Sequence, residues 1–283
     1  MNIELNNSEI KVLDHGFVRL VDCMPRHIPR GCEKLRCDYA VAEAARVSYG
    51  EQIRGGDADA KLIRYLLRNK HTSPFEMVRF KFHIKLPIFV QRQLIRHRTA
   101  NVNEISGRYT KLKDDFYEPK NIRGQSLTNH QGSSDAPMVV DDNLEGIYNN
   151  YMGTNKSTYD LYNKLIESGV AKELARVSLP QNIYTELYWC IDLHNLLRFL
   201  SLRKSKHAQY EIMVYASAME KLIQDLCPIT IGAYNEFVED SITFSKAEMG
   251  LIKSYLQGDT TTLSGKFKTK REEEEFINKM KLF

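Results

Sequence analysis

Alternation of hydrophobic and polar residues predicts three strands along the chain. The clearest is residues 78–86, where apolar side chains alternate with Arg79, Lys81, His83 and Lys85. A period of two is typical of a strand with one face on a core and the other on solvent or a site. Residues 16–24 and 182–191 predict two further strands.

Apolar residues at helical spacing predict helices around these strands. Pro87 suits a first helical turn, so a helix is expected from Ile88 to about Arg98. Further helices are predicted over residues 39–49, 57–69 and 144–168, from Asp192 or Asn195, from Ala208 towards Pro228, and over residues 270–282. The longest has a predicted apolar face of Leu144, Ile147, Tyr148, Tyr151, Leu161, Leu165 and Ile166.

Residues 112–142 lack periodicity and are rich in polar residues, which predicts a long loop. Such loops are usually functional lids or disordered segments. The chain shows no internal repeat and no linker. The pattern as a whole predicts one α+β domain, residues 1–264, followed by a charged C-terminal extension, residues 265–283.

Composition narrows the class of protein. The 283 residues are 42% hydrophobic and 27% charged, values of an ordinary globular protein, and the net charge is only +4. Nucleic acid is therefore not an expected partner, and any anion site must be a local cluster of cations. Five scattered cysteines argue against a metal site. With no signal peptide and no apolar run of about 20 residues, we expect a reduced, cytoplasmic protein with no membrane partner.

The segment LIRHRTANVNEISGRY, residues 94–109, concentrates specific polar groups after an apolar run. Two interpretations stay open on spacing alone: a solvated basic helix face, or the floor of an anion site. Ser106 is a nucleophile or a hydroxyl ligand, and the ligand is favoured because His97 is the only nearby base. Glu76 and Glu104 are a possible acid/base pair. The phosphate-cradling GxxxxGK[ST] and GxGxxG loops are absent.

A second dense region repeats this pattern of cations. Arg176, Arg198 and Arg203 lie among leucine and phenylalanine residues, the last two within LLRFLSLR. An arginine buried on an apolar helix needs an anion or a carboxylate, because an unpaired buried charge is costly. This helix therefore indicates a ligand more strongly than an exposed run of charge does.

Together these segments resemble the flavin-dependent thymidylate synthases. RHRTANVNEISGRY resembles their signature of Arg-His-Arg, seven residues and Ser, here Arg96 to Ser106. The blocks ARVSYG, HTSPFEMVRFKFHIKLPIFVQRQLIRHR, LPQNIYTELYWCIDLHNLLRFLSLR and HAQYEI resemble the family in the same order. The resemblance covers roughly residues 14–255.

The resemblance implies an α+β subunit with a central, mainly antiparallel sheet flanked by helices, assembled as a homotetramer with shared active sites. It implies bound FAD, dUMP as substrate, methylenetetrahydrofolate as carbon donor and NADPH as reductant. The products are dTMP and tetrahydrofolate. In that chemistry the reduced flavin supplies a hydride, and the protein positions and polarises the reactants.

The resemblance also implies a role for each matching position. Arg203 is the expected catalytic residue, because it would favour the ionised form of the uracil ring. The implied dUMP ligands are Gln93, Leu94, Ile95, Arg96, Glu104, Ile105, Ser106, Gly107, Arg108, Arg176 and Arg203. The implied FAD contacts are Ser73, Arg96, His97, Arg98, Glu104, Asp192, Leu193, His194 and Arg198. His71 and Glu76 resemble residues on the folate side.

Two positions depart from the family pattern. Asn101 stands where a serine is common, and Arg198 where many relatives have His or Asn. The alternative interpretation is a basic RNA- or nucleotide-binding module without catalysis, since basic patches with tyrosines suit stacking and phosphate contacts. It leaves the arginines on the apolar helix unexplained.

Overall fold

A five-stranded antiparallel sheet organises the larger part of the chain. In the computed structural model, which describes residues 2–5, 8–126, 132–258 and 266–282, its strand order is β1-β2-β3-β7-β4. The strands are β1 (Glu9–Val12), β2 (Gly16–Met24), β3 (Arg79–Pro87), β4 (Asn101–Glu104) and β7 (Tyr184–Asp192). A separate hairpin pairs β5 (Arg123–Gln125) with β6 (Ser133–Pro137). The three predicted strands and the antiparallel sheet are confirmed.

The central pair of strands, β3 and β7, runs in register over nine residues, from Arg79 opposite Asp192 to Pro87 opposite Tyr184. One face of both strands is fully or almost fully buried, as the alternation predicts. Its side chains are Phe80, Phe82, Ile84, Leu86, Leu187, Trp189 and Ile191. The cationic side chains of β3 lie on the opposite face.

Helices supply the other layer of this core. Leu196, Phe199, Ile212, Tyr215 and Met219 from two of them are buried in the same cluster as the strands. The helices are α1 (Asp38–Val47), α2 (Gly56–Arg68), α3 (Ile88–Leu94), α4 (Asp142–Glu167), α5 (Lys172–Ala175), α6 (Leu193–Arg203), α7 (Tyr210–Ile223), α8 (Pro228–Tyr234), α9 (Lys246–Leu256) and α10 (Lys270–Met280). The mixed helix-and-sheet class is therefore confirmed.

Helix α3 is shorter than predicted. It ends at Leu94, and Arg96, His97 and Arg98 follow in turns rather than in the last helical turn. The reason is tertiary: β4 begins at Asn101 and pairs with β7, so the chain has only this segment in which to change direction. The basic residues therefore lie on an irregular segment between α3 and the sheet edge.

The predicted loop over residues 112–142 contains the β5–β6 hairpin, so the expectation of no regular structure was wrong there. Its strands, RGQ and SSDAP, are too short and too polar to show a period. Residues 127–131, between the strands, lie outside the described residues.

Helix α4 was predicted well in extent but not in burial. Ile147, Tyr151 and Leu161 of its predicted apolar face are 60%, 46% and 48% exposed, and only Asn155 and Tyr162 of the helix are buried. A single chain therefore leaves much of this apolar surface in contact with solvent.

The chain divides into two compact units, Met1–Tyr234 and Asn235–Phe283. Within the second, α9 and α10 are joined by an ion pair between Lys279 and Glu248, at 2.7 Å, and Phe276 packs against Phe267. The predicted boundary after residue 264 falls among residues 259–265, outside the described residues, so the division into residues 1–264 and 265–283 stays a prediction.

Within the described ranges, no helix is long and apolar enough to cross a membrane. No group of three or more His, Cys, Asp or Glu residues in those ranges is arranged to hold a metal ion.

Gly16 tests how tightly β2 packs. A Cβ at this position would lie 2.0 Å from the Tyr215 hydroxyl and 2.6 Å from the Val12 carbonyl oxygen. We expect Gly16→Ala to lower the free energy of unfolding by about 1–3 kcal/mol, because neither neighbour can withdraw without losing the packing around it. Urea unfolding followed by circular dichroism measures this change.

Gly146→Ala is the matched control. Gly146 lies in α4 with open space around its Cα, so alanine there is expected to stabilise the helix by up to about 1 kcal/mol. Equal effects of the two substitutions would contradict the packing described for Gly16.

Candidate active site

Helix α6 places two arginines in different environments. Asp192 caps its N-terminus by accepting a hydrogen bond from the Asn195 backbone N–H, at 2.9 Å. Leu196, Phe199 and Leu200 face the core. Arg198 lies on the exposed side of the helix, whereas Arg203, in the last turn, is half-buried.

Arg203 contacts Gln93, in the last turn of α3, and His97, in the irregular segment after it. Its Nε donates to Nε2 of His97 at 3.1 Å, and its Nη2 donates to the Gln93 carbonyl oxygen at 3.4 Å. The Gln93 side chain in turn donates from Nε2 to Oε1 of Gln209, just before α7. We refer to Gln93, His97, Arg203 and Gln209 as the Arg203 cluster.

His97 is neutral in this cluster. Burial, together with the positive charges of Arg203 and Arg198, lowers the pKa of His97 to about 4. Its ring stands edge-on to Phe199, with ring centroids 4.9 Å apart. Because Nε2 accepts from Arg203, the proton of the neutral ring belongs on Nδ1.

Within the part of the chain that the structure describes, Arg203 has only neutral acceptors around it. No carboxylate among the described residues lies within 4.0 Å of its guanidinium, and burial lowers its pKa from the ordinary value. Arginine stays protonated in proteins, so a half-buried positive charge is left without a counter-ion. Such a group is a prepared site for an anion.

Most of the other predicted arginines also have no acidic partner among the described residues, and Arg108 is the exception. Arg108 pairs with Glu173, its Nε lying 3.1 Å from Oε2. Within the described ranges, no ion pair joins an acid to Arg96, Arg98, Arg176 or Arg198, all of which are exposed. Their exposure agrees with a solvated basic face. Their lack of acidic partners among the described residues instead favours anion binding.

Glu104 ends the edge strand β4, where two buried polar groups hold both of its carboxylate oxygens. Nε2 of Gln91 donates to Oε2 at 2.9 Å, and the Thr185 hydroxyl donates to Oε1 at 2.7 Å. Gln91 and Thr185 were not among the residues predicted from the sequence. The only available signal was their polarity within otherwise apolar elements.

Glu76 does not pair with Glu104 within one chain. Glu76 lies in a 3-10 turn, Ser73–Met77. This turn adjoins the end of β7, because the Leu193 N–H donates to the carbonyl oxygen of Val78, the residue after the turn. Glu104 pairs with Leu187, five strand positions before Asp192. At roughly 3.3 Å per residue, the strand separates the two places by about 16 Å.

The loop after β4 gathers another group of predicted dUMP ligands. The Ser106 hydroxyl accepts from the Arg108 backbone N–H at 3.3 Å, and no histidine among the described residues is hydrogen-bonded to it, which favours the ligand role over the nucleophile. A Cβ on Gly107 would lie 3.0 Å from Cδ of Arg176, so the glycine lets that arginine approach the loop. We refer to Ser106, Gly107, Arg108 and Arg176 as the Ser106 loop.

The remaining predicted positions differ in accessibility. Leu94 and Leu193 are fully buried, so their side chains pack in the core, whereas Ile95 and Ile105 are each 39% exposed. Ser73 is exposed and His194 half-buried. Both carboxylate oxygens of Asp192 accept from Asn195, and this capping role accounts for its burial. The flavin contacts of these residues stay predictions.

Comparison with known proteins identifies the family. Residues 33–229 match the profile of the family described as thymidylate synthase complementing protein. The chain is 45% identical over 278 residues to a flavin-dependent thymidylate synthase of Dictyostelium discoideum, covering 97% of this chain and 87% of that protein. It is 46% identical over 247 residues to that of Thermus thermophilus, covering 87% and 86%. The chain belongs to the flavin-dependent thymidylate synthase family.

A solved structure supports the same assignment. A UMP/dUMP methylase, PolB, from Streptomyces cacaoi bound with 5-Br dUMP superimposes with a TM-score of 0.68 at 32% identity. The match covers 81% of this chain and 98% of that one. The chain is therefore an enzyme, a methyltransferase of a flavoprotein family that acts in dTMP biosynthesis.

His97 provides a test of the electrostatics of the Arg203 cluster. We expect its imidazole to stay neutral through the range where an ordinary histidine, with a pKa of 6.5, becomes charged. Arg198→Ala is expected to raise the pKa, because it removes a neighbouring positive charge. Titration of the ring nitrogens by NMR measures both.

Arg30→Ala, at an exposed position with no predicted role, is the control and should leave the His97 titration unchanged. Since the folded-state pKa is depressed, the contribution of neutral His97 to stability is present above pH 6.5 and is lost as pH falls towards about 4. A titration midpoint near 6.5 would contradict the buried arrangement.

Proposed function

We propose that this chain catalyses the FAD-dependent reductive methylation of dUMP to dTMP, with methylenetetrahydrofolate as carbon donor and NADPH as reductant, releasing tetrahydrofolate. The observation that carries the proposal is Arg203, half-buried with neutral hydrogen-bond partners and no carboxylate within 4.0 Å among the described residues. Family membership and the dUMP analogue bound to the related methylase support this substrate.

Arg203 is the proposed catalytic residue. A guanidinium held against a uracil ring stabilises negative charge on the ring, and ionised uracil is the better nucleophile at carbon 5. Neutral His97 contributes by accepting from Nε, which fixes the fork of donors without adding a negative charge that would compete with the substrate. A protonated His97 would instead repel Arg203.

Phosphate recognition falls to the Ser106 loop and Arg96. Arginine forks form paired, charge-assisted hydrogen bonds to phosphate, and a serine hydroxyl adds a donor. Arg108 would exchange its exposed contact with Glu173 for the phosphate, a small loss because exposed ion pairs contribute little. Gln93, Leu94, Ile95, Glu104, Ile105 and Gly107 complete the proposed dUMP site.

The residues available for FAD fit a phosphate-bearing, planar cofactor. Arg96, Arg98 and Arg198 are exposed cations with no acidic partner among the described residues, which suits a pyrophosphate. Ser73, His97, Glu104, Asp192, Leu193 and His194 are the other proposed contacts. When bound, the flavin supplies the hydride that the methyl group requires.

We also propose that the enzyme is a homotetramer whose active sites are shared between chains. The exposed apolar side chains of α4 support association, since contiguous apolar surface commonly marks an interface. Within the described residues, no hydrogen bond or ion pair joins the Arg203 cluster to the Ser106 loop, and another copy of the chain supplies a way to combine them. The cytoplasmic location stays a prediction.

Colour provides a direct test of cofactor and reductant. We expect the purified protein, loaded with FAD, to be yellow and to bleach on anaerobic addition of NADPH, because the flavin must be reduced before it can supply a hydride. Visible absorption measures this, and liquid chromatography measures dTMP once methylenetetrahydrofolate and dUMP are added. Protein that stays colourless in excess FAD would contradict the proposal.

Arg203→Ala tests the proposed catalytic residue. We expect FAD binding to be retained and dTMP formation to fall by about 10²–10³-fold, the scale of losing one group that stabilises developing charge. Rates under saturating dUMP, with flavin absorption measured on the same sample, separate the two effects. Arg30→Ala is the control for loss of a positive charge, and turnover of Arg203→Ala at its level would reject the role.

A further inference from the structure

A partly buried ion pair joins the β5–β6 hairpin to the start of α7. Arg123, from β5, donates from Nη2 to Oε1 of Glu211, which is 2% exposed. The same carboxylate oxygen accepts from the Tyr117 hydroxyl at 2.9 Å. The Arg123 guanidinium also lies over the Tyr210 ring, 4.8 Å from its centroid, and its Nε donates to the Ser133 hydroxyl.

Glu211 depends on Arg123 for its charge. Although burial raises the pKa of Glu211, the hydrogen bonds from Arg123 and Tyr117 and the positive charge hold it below the ordinary value. Its second oxygen, Oε2, is buried without a hydrogen-bond partner among the described residues. Removing Arg123 therefore leaves the buried carboxylate with the Tyr117 hydroxyl as its one side-chain donor among the described residues, and its cost is relieved by proton uptake or by a shift of the start of α7.

The start of α7 is also where the Arg203 cluster is held. Glu211 is the second residue of α7, and Gln209 is the residue before that helix. Gln209 accepts through its side chain from Gln93, and its carbonyl accepts from the Met213 N–H at 3.1 Å. Gln93 presents its own carbonyl to Arg203. A shift of this helix start would move Gln209 and with it one support of Arg203.

We propose that Arg123 and Glu211 are positioning residues for the nucleotide site, acting through Gln209 and Gln93 on Arg203. The proposal rests on the proposed function, because it takes Arg203 as a dUMP ligand. It gives the polar segment between residues 112 and 142 a role: through Tyr117 and Arg123 it braces the helix start that supports the catalytic arginine.

The test compares Arg123→Met with a matched ion pair elsewhere. Arg19 pairs with Glu9 between β1 and β2, with both side chains partly buried, and has no part in the site. We expect Arg123→Met to weaken dUMP binding to the FAD-loaded enzyme by about tenfold, the scale of one lost polar contact. Arg19→Met should leave dUMP binding unchanged, and Arg123→Lys should retain most of the affinity. Isothermal titration calorimetry measures the dissociation constants.

A double-variant cycle tests the route. If Arg123 acts through Gln209, adding Arg123→Met to Gln209→Ala should weaken dUMP binding no further than Gln209→Ala alone. The proposal is overturned if the two substitutions multiply in their effects on dUMP affinity. It is also overturned if Arg123→Met lowers the melting temperature but keeps the wild-type affinity for dUMP. If Arg123→Met does not fold, Tyr117→Phe decides: about a threefold loss of dUMP affinity supports the bracing role, and no loss rejects it.

Binding and catalysis are measured separately so that the two proposals can fail independently. Wild-type enzyme that binds dUMP but forms no dTMP contradicts the proposed function, while the effects of Arg123→Met on binding still judge the positioning role. If the wild-type enzyme forms dTMP and Arg123→Met binds dUMP with unaltered affinity, only the positioning role is contradicted.

Discussion

The nine-residue antiparallel register between β3 and β7 is the constraint on which the candidate site depends. Pro87 at the end of β3 lies opposite Tyr184, and Asp192 at the end of β7 lies opposite Arg79, so α3 and α6 begin at opposite ends of the pair. Helix α6 then runs back for eleven residues, roughly 16 Å. That length brings Arg203 to the end of α3, where Gln93 and His97 accept its hydrogen bonds.

The electrostatic character of the site follows from what surrounds these arginines. Arg203 has a neutral histidine and a carbonyl as partners, and no carboxylate among the described residues neutralises it. Ion pairs with a buried carboxylate lie elsewhere, such as Arg46 with Asp59 and Arg123 with Glu211. Internal pairing therefore stabilises the scaffold, while the arginines of the site keep their charge for anionic ligands.

A single chain accounts for only part of the expected assembly. Helix α4 has the apolar pattern of a packed helix, yet Ile147 is 60% exposed. Hydrogen bonds link the residues of the Arg203 cluster, and the Arg108 N–H donates to the Ser106 hydroxyl, but no described hydrogen bond joins the cluster to the Ser106 loop. Both observations agree with sites completed by other copies, as the resemblance implies.

Local patterns in the sequence determined the central strands, most helices, the family and the arginines around which the site is built, because period, capping residues and motif spacing are local properties. The tertiary structure decided the rest. It ended α3 at Leu94 so that β4 could reach the sheet edge, exposed Arg198 while half-burying Arg203, and brought Gln91 and Thr185 to Glu104. It also joined Arg123 to Glu211 across 88 positions. Contacts between residues so far apart depend on how whole elements pack, and no local pattern records them.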